Sequence, residues 1–244
     1  MTEDSHTVNT IAPITNVALC ASVLGHAVNR PPHLPGIVAF YGPSGLGKSS
    51  SVAFAANKFN AYHVECKSNW TQKALLSNVL KEMGIKPAKT NPEMTDQVSE
   101  QLARSQRPLI IDEFDHVVKK KIVELVRDIY EGSHTAILII GEEQLEDNLT
   151  HYERFHNRVL KWVGAQPASI EDAHLLKALY CDKVDVGDDI VSAIMKANRG
   201  CTRRICINLY NVQEFAIEQG LDRISMTEWG NRAFYTGKTE KRRL

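Results

Sequence analysis

The chain has 244 residues, 43% hydrophobic and 24% charged, with 29 basic and 29 acidic side chains that leave no net charge. That length holds one full α/β domain plus a smaller appended one, and the balanced charge excludes a global attraction to nucleic acid or anionic lipid. No apolar run approaches the ~20 residues of a membrane span, so no membrane partner is expected, and five scattered cysteines without a C-x-x-C pair argue for reduced thiols in a cytoplasmic protein rather than zinc or disulfides.

Met1–Asn9 is polar and mildly acidic, unlike a secretory signal, and a helix follows from about Asn16 to Val28. Ile37-Val38-Ala39-Phe40-Tyr41 reads as a buried strand. Gly42-Pro43-Ser44-Gly45-Leu46-Gly47-Lys48-Ser49 then matches G-x-x-x-x-G-K-[ST], and a helix runs from Ser50 to Asn60 with Val52, Phe54, Ala55, Ala56 and Phe59. A strand, a glycine-rich loop and a helix N-terminus make a nest of backbone N–H groups for a triphosphate. The loop residues and Ser50 are therefore candidates for ATP, with Lys48 on the β/γ-phosphates and Ser49 on Mg²⁺.

Ala61–Cys66 alternates as a strand, and Thr71–Met83 is a helical stretch closed by Gly84. Ile85–Asn91 reads as a loop, and Asp96–Ser105 as a short helix. Leu109-Ile110-Ile111-Asp112-Glu113 is an apolar strand ending in two acids. Asp112 at its carboxyl end would face the metal, and Glu113 would polarise a water in line with the γ-phosphate, as in an ATP hydrolase. Val118, Ile122, Leu125 and Ile129 mark one amphipathic helix, with Lys119, Lys120 and Lys121 on its polar side. Ala136–Gly141 and Val159–Val163 supply the fourth and fifth strands. The expectation is an α/β chain with a parallel five-stranded sheet flanked by helices, ligand lying at the strands' carboxyl ends. Asn57-Lys58-Phe59-Asn60 lacks the Asp of a guanine reader, so adenine is the default.

After Pro167 the pattern is helical. A Ser169…Asp172 capping box opens Ile170–Tyr180, a second helix spans Asp189–Asn198, and a third carries Ile205, Leu209, Val212 and Ala216. Ser225…Glu228 starts a fourth. The expected division is 1–166 for the nucleotide-binding domain, 167–237 for a small helical lid, and 238–244 for a basic tail carrying Lys238, Lys241, Arg242 and Arg243.

Gly200-Cys201-Thr202-Arg203-Arg204-Ile205 resembles the second sensor of AAA+ ATPases. That resemblance gives Arg203, or failing it Arg204, the role of reaching back to the γ-phosphate. Arg154-Phe155-His156-Asn157-Arg158-Val159 resembles the arginine-finger segment, with Arg158 ahead of Arg154 as the residue that enters a neighbouring subunit's site. The chain departs from the superfamily at the end of the fourth strand. A small polar first sensor is usual there, and this sequence has Gly141-Glu142-Glu143-Gln144.

Within AAA+ proteins the P-loop, Cys66-Lys67-Ser68-Asn69-Trp70-Thr71 and Leu138–Leu145 look most similar to the transposition-regulator type, the group of phage Mu transposition protein B and the TnsC proteins. The resemblance implies non-specific duplex DNA as a partner, an ATP-dependent homo-oligomer (ring or helical filament), and recruitment of a transposase in a bacterial or phage-infected cytoplasm. The short polar N-terminus then implies that DNA binding comes from the AAA+ assembly itself. Candidate DNA contacts are Lys67 and Ser68 with Lys119, Lys120 and Lys121, where lysines would displace counterions without reading sequence. The competing reading is a protein-remodelling, secretion or signalling AAA+ ATPase that never touches DNA. A kinase is disfavoured because Glu113 would activate water.

Overall fold

The computed structural model describes residues 11–237; the basic tail and the polar N-terminal segment 1–9 lie outside them. The sheet and its helices occur in the order α1 (Thr15–Val28), β1 (Ile37–Tyr41), α2 (Lys48–Phe59), β2 (Tyr62–Glu65), α3 (Gln72–Glu82), α4 (Asn91–Ser105), β3 (Leu109–Asp112), α5 (Asp115–Lys119), α6 (Val123–Ser133), β4 (Ile137–Gly141), α7 (Leu145–Leu149), α8 (Glu153–His156) and β5 (Val159–Gly164). The helical part continues as α9 (Ile170–Tyr180), β6 (Asp185–Val186), α10 (Asp188–Asn198), α11 (Thr202–Glu218), β7 (Arg223–Ile224) and α12 (Met226–Trp229).

The five strands β1–β5 are all parallel and lie in the order β2-β3-β4-β1-β5. The central strands β1, β3 and β4 are apolar on both sides, as a sheet covered on both faces requires, while the edge strands β2 and β5 carry His63, Glu65 and Lys161. Ile37, Ala39, Tyr62, Val64, Leu109, Ile111, Ile137 and Ile139 enter one core with the buried stripes of α3, α4 and α6. The alternate residues Val38, Phe40, Ile110, Leu138 and Ile140 are equally buried on the opposite face. Placing β1 between β4 and β5 brings the loops after β1, β3 and β4 to one edge. Gly42 N–H donates to Gly141 O at 3.3 Å, and Phe114 N–H to Ile140 O at 2.8 Å, which stitches those loop starts together.

The chain divides into two compact units: a sheet unit of 16–44 and 48–166, and a helical unit that begins at Pro167 and also takes the described segment 11–15 and Gly45–Gly47. The sequence boundary after 166 left those two short segments with the sheet. In the helical unit, Asp172 completes its capping box with Ser169 and also accepts from Thr15 N and Oγ1 at 2.7 and 3.0 Å. A two-stranded parallel sheet of β6 and β7 joins the helices, an element too short to announce itself in sequence. In the sheet unit, the Asn16 side chain brackets Gln166 with two bonds of 2.7 and 2.8 Å.

Three expectations are corrected. The helix read from Asp96 begins at Asn91, because Thr90 and Glu93 form a capping box and Pro92 suits the first turn, where its missing N–H costs nothing. The single helix expected through Val118–Ile129 is broken. Lys121 is left-handed at φ 58°, Lys121 N donates to Val118 O at 2.9 Å and Ile122 N to Val117 O at 3.0 Å, a Schellman ending that buries Ile122 beside Val117. Lys119, Lys120 and Lys121 therefore occupy the end of α5 and its cap rather than the polar side of one continuous helix. The short helices α7 and α8, finally, occupy a stretch for which the sequence supplied candidate arginines and no element.

Candidate functional site: the phosphate loop and its acidic partners

The loop between β1 and α2 turns on glycines. Gly42, Gly45 and Gly47 have φ of 150°, 88° and 85°, angles that side chains resist. In the sheet unit a Cβ on Gly42 would lie 3.2 Å from that of Ala165, whose N–H also donates to Tyr41 O at 2.7 Å. Lys48 begins α2, and its Nζ donates to Gly42 O at 2.5 Å and Pro43 O at 3.0 Å, resting across the loop's own carbonyls. Burial pushes the Lys48 ammonium below its ordinary range, while Glu113, Asp112, Glu142 and Asp115 oppose the shift. Pro43, Ser44, Ser49 and Ser50 are exposed around it. The cradle, the helix N-terminus and the lysine suit a polyphosphate.

The acids stand where the strand order brings them. Asp112 is buried at the end of β3, and burial raises its carboxyl above the usual range. One of its oxygens accepts Glu113 N–H at 2.8 Å. Glu113 itself is left-handed at φ 54°, which turns its side chain out to solvent while the next residue, Phe114, is fully buried. Its carboxyl is also raised, first by burial and then by the Asp112 charge. An exposed Ser49 hydroxyl and a buried carboxylate with a spare oxygen form a hard-oxygen donor set of the kind Mg²⁺ takes from protein beside substrate phosphates. The residue types fit Mg²⁺.

Sequence reasoning passed over Asp115 as part of an acidic loop. It is buried, and its Oδ2 accepts Glu142 N–H at 2.7 Å, tying the turn after β3 to the end of β4. That same oxygen would lie 2.6 Å from a Cβ on Gly141, so Gly141 is the residue that lets it in. The segment expected to carry a first sensor thus presents its backbone to Asp115, with Glu142 and Glu143 exposed. The only hint in sequence was a third acid close behind Asp112-Glu113.

Within the helical unit, Arg203 N–H donates to Gly45 O at 2.9 Å, and the Cys201 thiol lies 2.9 Å from where a Gly45 Cβ would be. Leu46 is buried, and Thr202 sits against Gly47 with a buried Oγ1 that has no hydrogen-bond partner. The two arginines part here. Arg203 lies in the first turn of α11 beside Gly45, whereas the Arg204 guanidinium lies against Gly237. Back in the sheet unit, Arg154 lies within α8 and Arg158 follows its C-terminal end. Arg154 is exposed, and Arg158 pairs with Glu131 at 2.9 Å. Lys67, Ser68 and the three lysines Lys119–Lys121 are all exposed, and the two segments meet: Cys66, Lys67 and Trp70 share a small pocket with His116, Val117 and Ile122.

A parallel sheet in this order, a glycine-rich phosphate loop after β1 and an acidic pair after β3 make this the P-loop AAA+ fold. Residues 33–149, a little under half of the chain, match a sequence family described as AAA domain; Lys48, Asp112 and Glu113 lie inside that match, and Arg154, Arg158 and Arg203 beyond it. Among solved structures, the Aeropyrum pernix ORC2 protein in its ADP form is similar over 90% of this chain and 69% of its own, at 16% identity and a TM-score of 0.67. The Aeropyrum pernix ORC1 protein in complex with DNA matches 86% of this chain and 61% of its own, at 17% identity and 0.62. The Thermotoga maritima RuvB Holliday junction branch migration motor matches 87% and 65%, at 17% identity and 0.59. The chain thus spans about two thirds of the length of these structures. No curated protein matches it in sequence. No helix among the described residues is long and apolar enough to cross a membrane.

Proposed function

We propose that the chain is an ATP-hydrolysing, DNA-binding AAA+ protein whose copies assemble on duplex DNA when ATP is bound and disperse after hydrolysis. The observation that carries the DNA half is that Lys67 and Trp70 share one small pocket with Val117 and Ile122, the residues on either side of the exposed Lys119–Lys121 run. Lys121 adds weight. A left-handed position that glycine fills at no steric cost instead holds a lysine, at an expense of about 1–2 kcal/mol. Its exposed side chain leaves the charge open to a phosphate. The fold's likeness to an ORC1 protein in complex with DNA and to a branch migration motor supports the same reading.

In this reading the loop amides and Lys48 bind the β/γ-phosphates, Lys48 exchanging its two carbonyls for phosphate oxygens. Mg²⁺, held by Ser49 and Asp112, would neutralise charge between the phosphates. Glu113 orients water and takes its proton as the oxygen bonds to the γ-phosphorus and the bond to the β-phosphate oxygen breaks, leaving ADP and phosphate. Arg203 stabilises charge from the lid, and Arg158 does so from a neighbouring copy, with Arg154 as the second choice. Recruitment of a transposase is the finer proposal. It rests on the resemblance of residues 42–49, 66–71 and 138–145 to transposition regulators.

Sedimentation with and without random-sequence duplex DNA tests this. Oligomers are expected only with ATP and DNA together, dissolving as salt rises; Lys48→Ala abolishes them and Glu113→Gln traps them. ATP turnover and assembly indifferent to DNA overturn the DNA reading in favour of a protein-directed ATPase. A transposase that co-sediments with trapped Glu113→Gln oligomers supports the finer proposal, and failure to retain one removes it.

A further inference from the structure

Arg158 is fixed before its side chain begins. Its N–H donates to Phe155 O at 2.8 Å, and its carbonyl accepts from Ile37 N at 3.2 Å, so the Cα is pinned between α8 and the start of β1. The side chain is half-exposed and reaches α6, where Glu131 Oε1 accepts both Nε at 3.2 Å and Nη2 at 2.9 Å. One edge of the guanidinium is therefore held, and the Nη1 end is left free. Arg158 also lines an open surface cavity of about 500 Å³ with Glu131, His134, Tyr130 and Asn157, so nothing in its own unit caps that free end.

Glu131 stands beside a second guanidinium. Its second oxygen faces Arg127 Nε at 4.0 Å. Arg127 is nearly buried, pairs through its other nitrogens with Glu124 and Asp128, and keeps a buried Nε without a hydrogen-bond partner. The carboxylate thus stands between two guanidiniums on a rigid helix, one oxygen for each. A long, rotamer-rich arginine on the surface loses much entropy when it must take one pose. A carboxylate that grips only the Nε–Nη2 edge removes most of that freedom and leaves the phosphate-seeking end exposed.

We infer that Glu131, oriented by Arg127, is the positioning residue that aims Arg158 at the nucleotide of a neighbouring copy. This rests on the reading of Arg158 as the arginine supplied between copies. Glu131 touches no substrate. It acts through Arg158 by fixing where the guanidinium points, and a misplacement of about 1 Å at such a group costs on the order of 100-fold in rate.

The test uses the full chain assembled on DNA with ATP. Glu131→Ala is expected to lower kcat about 10- to 100-fold, with nucleotide affinity of the single protomer unchanged. Glu131→Gln, which keeps an acceptor oxygen, should retain most of the rate. Combined with Arg158→Ala it should add nothing. Because the arginine comes from the neighbour, mixing Glu131→Ala with Glu113→Gln subunits, which assemble without hydrolysing, should restore turnover at the intact sites of the former. A Glu113→Gln/Glu131→Ala donor should fail to rescue Arg158→Ala sites. If Arg158→Ala oligomers hydrolyse ATP normally, the reading of Arg158 falls and this inference with it. If Arg158→Ala is inactive while Glu131→Ala is normal, only the inference falls. A slow Glu131→Ala that Glu113→Gln subunits do not rescue marks a general structural defect and also overturns it.

Discussion

Gly45 tests the loop geometry most directly. Substitution by alanine at φ 88° costs about 1–2 kcal/mol in backbone strain. The new Cβ would also stand 2.9 Å from Cys201 Sγ, roughly half an ångström inside ordinary contact, and overpacking of this kind costs about 1–3 kcal/mol. The unfolded chain loses freedom when glycine is replaced, which returns about 0.4–1 kcal/mol. The net expectation for Gly45→Ala is a loss of about 2 kcal/mol, or ~4–8 °C in melting temperature for a chain of this size. The Arg203 N–H bond to Gly45 O reports the same geometry, since a shifted loop carbonyl loses it. Thermal and urea unfolding would measure the stability, and a fluorescent ATP analogue the binding. Adding Cys201→Ala removes the steric part only, so the double variant should recover roughly 1 kcal/mol while ATP binding stays impaired. A Gly45→Ala protein within about 0.5 kcal/mol of the parent and with normal ATP affinity would falsify the argument, as would a Cys201→Ala background that recovers nothing.

Glu113, whose carboxyl is raised by burial and by Asp112, must be ionised to take a proton, so kcat should fall on acidification at a higher pH than an ordinary glutamate gives. An acid limb at or below 4.5, its unperturbed value, would remove Glu113 from that role. Asp112 is a buried acid whose folded pKa lies above its unfolded one; its favourable contribution is present below the unfolded value and lost as pH rises through the folded one. Asp112→Asn should therefore raise the melting temperature of the nucleotide-free protein at pH 7 while abolishing ATP turnover, and a lower melting temperature at that pH counts against the sign. Lys121→Gly should stabilise the fold by up to about 1 kcal/mol in urea unfolding, because glycine relieves the left-handed strain at the end of α5. The same change should flatten the salt dependence of DNA affinity by about one unit of slope; an unchanged slope removes Lys121 from the interface.

Much of this site was written locally. The phosphate loop and Asp112-Glu113 follow apolar β-branched runs, and both signals need only adjacent residues. The capping box at Ser169 was equally legible for that reason. What sequence hid depends on distant partners or on backbone angles. The apolar spacing of Val118, Ile122, Leu125 and Ile129 runs on as though unbroken, yet Lys121 turns left-handed between them and no glycine marks the turn. Asp115 looks like one more surface acid until β4 arrives beside β3 and offers it the Glu142 amide. The pairing of Arg158 with Glu131 joins residues on separate elements, so neither helical spacing nor strand alternation announces it.

The left-handed turn at Glu113 shows how a rule broken locally serves the site. An extended Glu113 would place two consecutive side chains on opposite faces of a continuing strand, one of them within the core. With φ at 54° the chain reverses at once: Glu113 faces solvent and Phe114 drops into the core. There Phe114 stacks on Phe155 of α8, ring centres 5.7 Å apart and 27° between planes. Both rings are fully buried, so the stack is worth more than its aromatic term alone. Phe155 lies between Arg154 and Arg158 and accepts the Arg158 N–H. The residue next to the proposed base thus packs against the residue that anchors the proposed finger. Strain at Glu113 and burial at Phe155 act on one piece of packing, which ties the position of the proposed base to that of the proposed finger.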